Sequence, residues 1–178
     1  LDPKNPQVVY ATLWAQQQSF IEGQGFADAG IGFFKSTDGG TTWRQLSEGL
    51  PPILQANIAV SPSDPNVLYG AIAPGQGPIG FFKSTDGGAH WFEAIKGPGA
   101  PAGRAQDMRP LARIGGGDLP TVTIDPKDPN TVYTASTVMW RTTDGGLTWS
   151  AVRGAPGGDD YQRIWINPVD PSIILAVA

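Results

Sequence analysis

The stretch "FFKSTDGGTTW", residues 33–43, places one carboxylate, Asp38, among small hydroxylated residues and two glycines, and closes on Trp43. Nearly the same phrase returns as "FFKSTDGGAHW" at residues 81–91 and as "MWRTTDGGLTW" at residues 139–149. Asp followed by Gly is a strong hairpin signal: Asp tolerates the left-handed region and accepts bonds from nearby backbone N–H groups, while Gly takes a positive φ without a Cβ penalty. The tryptophan just beyond the turn can fold back onto its sheet, burying on the order of 150–250 Å². Asp38, Asp86 and Asp144 are therefore expected to shape turns. A calcium loop alternates several oxygen ligands, and each copy here offers one carboxylate.

A second phrase interleaves with the first: "DPKNPQVVYA" from Asp2, "SPSDPNVLYG" from Ser61, "DPKDPNTVYT" from Asp125 and "NPVDPSIILA" from Asn167. Each is a Pro-rich turn leading into a β-branched run. One unit reads as strand "PTVTI", turn "DPKDPN", strand "TVYTAST", strand "VMWRTT", turn "DGG" and strand "TWSAV". The preceding unit gives "NIAV", "VLYGAIA", "IGFFKS" and "HWFEAI" in the same order. Four short antiparallel strands per repeat, arranged radially, are the β-propeller's answer to exposed sheet edges. The expected fold is all-β: a propeller of four-stranded antiparallel blades, with this chain making about three of them.

The aspartates at 38, 86 and 144 lie 48 and then 58 residues apart, so an insertion falls in the second step. The expected divisions are strands two to four of a blade at about 1–50, a full blade at 51–97, a full blade at 98–153 with the insertion at 96–120, and the start of another at 154–178. A ring closes with about four to eight blades, so the chain is expected to be a fragment, or the ordered part, of a longer protein, with the remaining blades of the same propeller or a larger assembly as its first partners. Its opening "LDPKNPQVVYA" carries no charged or apolar leader.

Composition agrees. Among 178 residues, 40% are hydrophobic, enough for a core, and 24 Gly with 17 Pro interrupt the chain too often for long helices. The balance of 12 Lys+Arg against 16 Asp+Glu gives no basic patch to follow a phosphate backbone, so nucleic acid is not an expected partner. Without cysteine, and with His90 as the one histidine, no thiolate or histidine metal site is expected, and no cofactor is implied. No apolar run approaches the roughly 18 residues of a membrane span.

Ser36, Asp38, Gly40 and Trp43 fit the Ser/Thr-x-Asp-x-Gly-x-x-Trp pattern, as do Ser84, Asp86, Gly88 and Trp91, and Thr142, Asp144, Gly146 and Trp149. The chain thus resembles the Asp-box, or bacterial neuraminidase repeat, propellers: sialidases, xyloglucan-hydrolysing glycosidases, sortilin-type receptors and photosystem II stability/assembly factors. The paired "DPKDPNTVY" and "STDGG" phrases and "GGDDYQRIWINPVDP" are most similar to large secreted bacterial sortilin-like or glycosyl hydrolase repeat proteins. The resemblance implies that the box sits between strands three and four, away from the active face. It also implies a periplasmic, cell-surface or secreted location.

In an up-and-down blade the turns between strands one and two and between three and four share one end. The opposite end carries the connections free to vary and bind. Long ones are expected at residues 15–32, 96–120 and 154–163. The second holds Arg104, Arg109 and Arg113 with Asp107 and Asp118. Sialidases use an arginine triad for a carboxylate, but from different blades, whereas these three share one loop. The third holds Asp159, Asp160, Tyr161 and Arg163, an acidic pair opening an inner strand where it can meet a sugar. The ligand-binding candidates are Asp159, Asp160, Tyr161 and Arg163, then Arg104 and Arg109. His90 is expected at the surface, Trp14, Trp140 and Trp165 between blades, and "GQGPIG" at 75–80, which leads into a strand, is a loop rather than a nucleotide motif.

Two functions follow. One is a non-catalytic propeller module binding protein, peptide or glycan on its loop face, or serving as a scaffold. The other is a glycoside hydrolase with two carboxylates supplied by different blades.

Overall fold

The computed structural model describes residues 1–13, 30–74, 79–94, 119–154 and 161–177. Regular structure among them is β, in thirteen strands. Strands β1 (Val9–Leu13), β2 (Gly32–Ser36) and β3 (Arg44–Leu46) form a three-stranded sheet. Then come two four-stranded sheets. The first is β4 (Ile53–Val60), β5 (Leu68–Pro74), β6 (Gly80–Ser84) and β7 (Phe92–Glu93). The second is β8 (Thr121–Ile124), β9 (Val132–Ala135), β10 (Met139–Thr142) and β11 (Ser150–Arg153). Strands β12 (Arg163–Ile166) and β13 (Ile174–Val177) pair as a two-stranded sheet. Every pairing is antiparallel between sequence neighbours. This is the meander expected from the repeat, and the sheets are blades of a β-propeller of which the chain forms a part.

The core lies between blades. Phe33 and Leu46 of the first sheet meet Ala56, Leu68, Ile72 and Trp91 of the second. Tyr69 and Phe81 meet Ile124 and Val132 of the third. Tyr133, Ala135 and Met139 meet Tyr161, Ile164, Ile166 and Ile174 of the fourth. Period-two alternation explains how one strand serves two junctions: in β4, Ile58 and Val60 pack toward the first cluster and Ala59 toward the second. Strand β12 shows what one missing neighbour does. Ile164 and Ile166 are buried, while Arg163 and Trp165, on the other face, are exposed. Trp165, expected between blades, is 48% exposed because no described blade covers that face.

Candidate functional site

The three Ser/Thr-x-Asp-Gly-Gly turns are built alike. Ser36 Oγ accepts from the Gly40 N–H at 2.8 Å and donates to Asp38 Oδ1 at 2.7 Å. That oxygen also accepts from the Thr42 N–H at 2.9 Å, and Oδ2 accepts from Thr42 Oγ1 at 2.6 Å. Ser84, Gly88, Asp86 and His90 repeat the pattern, with His90 Nδ1 2.6 Å from Asp86 Oδ2 in place of the hydroxyl. Thr142, Gly146, Asp144 and Thr148 complete the set. The indole N–H of Trp43, Trp91 and Trp149 donates back to the carbonyl of Gly40, Gly88 and Gly146. The second glycine is required twice over in the inner copies: Gly88 and Gly146 have φ of 87° and 102°, and a Cβ there would lie 2.8 Å from Leu46 Cδ1 and 2.9 Å from Ala94 Cβ.

These bonds set the protonation. The side-chain and backbone donors of Thr42, with Ser36, hold the Asp38 carboxyl at about 2. The backbone and ring donors of His90, with Ser84, do the same for Asp86. Burial pushes Asp144 up, but the donors of Thr148 and Thr142 outweigh it and lower the carboxyl. A carboxylate so acidic, with its lone pairs occupied, is a poor proton carrier near neutral pH.

The turns between strands one and two stand at the same end. Asp2, Asp125 and Asn167 each accept two backbone N–H bonds at Oδ1. Backbone bonds from Gly39, Gly87 and Gly145 to the carbonyls of Gln7, Asn66 and Asn130 tie the two turns of each blade together. Blades are stapled here as well. Tyr10 Oη and Lys35 Nζ both donate to the Gly87 carbonyl of the next blade, at 3.2 and 2.9 Å. Tyr69 Oη donates to the Pro129 carbonyl at 3.0 Å, and Lys83 Nζ to Asn130 Oδ1 at 3.1 Å. Burial raises the Tyr10 phenol to about 12 and pushes Tyr69 up too, so both remain donors. Sequence reading missed the staples, though their signal recurs: a Tyr after each "VV", "VL" or "TV" and a Lys or Arg just before the turn's Ser or Thr.

Every described aspartate lies in one of these turns. Among the described residues no group of His, Asp and Glu can hold a metal ion.

The opposite end is assembled from connections. Here the Tyr161 N–H donates to the Ser136 carbonyl at 2.7 Å, beside the bend that joins β9 to β10, and Gly154 sits against Val138. Asn57 Nδ2 reaches from β4 to the carbonyls of Leu119 and Pro120 at 3.3 and 2.9 Å, just ahead of β8. Leu119, Pro120, Gly154 and Tyr161 thus lie at the end away from Asp38, Asp86 and Asp144, whereas Ala94, ahead of the second long connection, sits against Gly146 in the next blade's turn. Of the candidates, Tyr161 is a core side chain, 5% exposed, and Arg163 is exposed on β12 across from Val177. Asp159, Asp160, Arg104 and Arg109 fall outside the described residues, as do Arg113, Asp107, Asp118 and Trp14.

No protein-family model and no curated protein matches the sequence. Solved structures do match in fold. An ancestral GH74 enzyme is 14% identical, with a TM-score of 0.62, over 99% of this chain and 21% of its own. The Niastella koreensis GH74 enzyme is 18% identical, with a TM-score of 0.63, over 99% and 24%. The GH74 xyloglucanase from Xanthomonas campestris is 18% identical, with a TM-score of 0.52, over 97% and 21%. The chain spans less than a quarter of the length of each, and at these identities the likeness is one of fold.

Proposed function

We propose that this chain is a non-catalytic binding or scaffold part of an Asp-box β-propeller in a periplasmic, cell-surface or secreted protein, and that its loop end holds a protein, peptide or glycan. The observation that carries this reading is the commitment of every described aspartate to turns at one end. Chemistry is thereby left to the connections between blades. Asp159 and Asp160, ahead of β12, are the proposed contact residues, with Arg163 beside them and Arg104 and Arg109 behind. Tyr161 serves by anchoring the loop's end in the core. The remaining blades are the proposed structural partners.

A second reading rests on the acidic pair before an inner strand: a glycoside hydrolase that uses one of these carboxylates and another from a different blade. One experiment separates the two. Immobilised protein is screened against glycan and peptide arrays, and xyloglucan oligosaccharides are assayed for new reducing ends. Capture that is lost in Asp160→Ala, without hydrolysis, is expected. Hydrolysis abolished by Asp160→Asn would establish the enzyme instead, and capture unaffected by Asp159→Ala and Asp160→Ala together would remove this loop from the site.

A further inference from the structure

Every described aspartate is followed by one of two residues. Asp2, Asp64, Asp125, Asp128 and Asp170 precede proline, whereas Asp38, Asp86 and Asp144 precede glycine. The difference is chemical. The backbone N–H of the next residue can attack an aspartyl side chain and close a five-membered succinimide ring; proline has no N–H to lose, and glycine has no Cβ to hinder the attack. The folded turns occupy both reacting groups. The N–H of Gly39, Gly87 and Gly145 donates to the carbonyls of Gln7, Asn66 and Asn130, at 2.9, 2.8 and 2.9 Å. Oδ1 of each of the three carboxylates accepts from the hydroxyl two residues before it and from the N–H four residues after it. Oδ2 is bonded to Thr42, His90 or Thr148. Ring closure therefore has to break bonds on both the nitrogen and the carboxylate.

We propose that Asp38–Gly39, Asp86–Gly87 and Asp144–Gly145 are self-modification sites, kept closed by the native turns and converted to isoaspartyl linkages when a turn opens. Water is the sole co-reactant. In an open turn the glycine nitrogen bonds to Cγ and gives up its proton, and one oxygen of the protonated carboxyl leaves as water. A second water then adds to a ring carbonyl and breaks that carbon's bond to nitrogen. Addition at Cγ restores aspartate. Addition at the backbone carbonyl leaves the chain running through Cβ, with the former backbone carboxyl as its side group. Protonation acts in the same direction as the bonds: the native Asp38 and Asp86 carboxyls lie at about 2, below the ordinary 3.8, so the form that can lose water is scarcer in the turn than in an open chain. The isoaspartyl linkage adds an atom to the main chain and shortens the side group, so the carboxylate no longer meets the turn's donors while the glycine N–H meets its carbonyl. Conversion is thus expected to stop the turn from re-forming. The inference does not depend on what the loop end binds.

The test incubates the protein in heavy-oxygen water at neutral pH, native and in urea, and follows each aspartate by peptide mass spectrometry. Passage through the ring adds a heavy oxygen, and backbone fragmentation distinguishes isoaspartate from aspartate. In urea the glycine-linked aspartates should convert and the proline-linked ones should not. In native buffer, conversion at Asp38, Asp86 and Asp144 should each be slower by about tenfold or more, because it tracks the population of the open turn. Ser84→Ala, which removes the hydroxyl from one turn, should speed native conversion at Asp86 by about threefold or more relative to Asp144. Monomer refolded from the aged urea sample should have lost its isoaspartyl chains. Native and urea rates within about twofold of each other would overturn the proposal, as would ring passage at the proline-linked aspartates. Equal acceleration at Asp86 and Asp144 in Ser84→Ala, or isoaspartate retained in the refolded monomer, would overturn it too. The native and urea rates of the unaltered protein decide the matter even where Ser84→Ala does not fold.

Discussion

The Phe33 ring at the start of β2 packs on the Trp91 indole of the next blade, with centroids 5.2 Å apart and planes tilted by 38°. Phe81 and Trp149 repeat the contact at the following junction, edge to face at 5.0 Å. The turn tryptophan is therefore shared property: its N–H closes its own turn and its ring seals the junction behind it.

That division sets up a contrast between identical motifs. Trp91 is 4% exposed, and Trp43, with no described blade behind it, is 44% exposed. Trp91→Ala should cost about 3–5 kcal/mol, the range for emptying a buried aromatic site, and Trp43→Ala less than half as much. Urea denaturation of the two variants measures the difference.

Ser84 is fully buried, and its hydroxyl both accepts from the Gly88 N–H and donates to Asp86. Ser84→Ala strands that N–H, with an expected loss of about 1–3 kcal/mol in chemical denaturation. Ser84→Thr should be far milder, since Thr142 makes the same pair of bonds in the third copy.

Much of this architecture is legible in the residues. Asp-Gly-Gly and the Pro-rich phrases mark turns by local backbone preference, so the strands between them follow from their neighbours in sequence. The staples are harder to read, because Tyr10 and Gly87 are 77 residues apart and meet through the stacking of two blades. Identical context also hides unequal burial: nothing local separates Trp43 from Trp91. Tyr161, in a Gly- and Asp-rich stretch, reads as a polar loop residue, yet the apolar layer of the third junction claims its ring. His90 reads as a surface side chain and is one, with the added role of second donor to Asp86, a role shown only by comparing the same position in three turns.

The three turns predict how His90 can be replaced. Thr42 and Thr148 fill its place with a hydroxyl at 2.6 and 2.5 Å from the carboxylate. His90→Thr should leave stability unchanged within about 0.5 kcal/mol, as for an exposed pair remade in kind. His90→Ala should raise the Asp86 carboxyl, because the ring donor is lost while the backbone donor stays. Thermal melts and carboxyl titration of the two variants check this.

Acid stability follows from the same bonds. The folded carboxyls of Asp38 and Asp86 lie at about 2, below their ordinary 3.8. Folding therefore favours the ionised form, and the contribution is complete above 3.8 and disappears as pH falls toward about 2. Tm should drop across that window, and less steeply in Asp86→Asn.

Whether these aspartates shape turns or do chemistry is decided most directly by NMR titration of the side-chain carboxyls in the intact protein. Asp38 and Asp86 should titrate at about 2, with Asp144 also below 3.8. A value at or above 3.8 for any of the three would contradict a structural role, because a carboxyl held by these donors cannot keep its proton there.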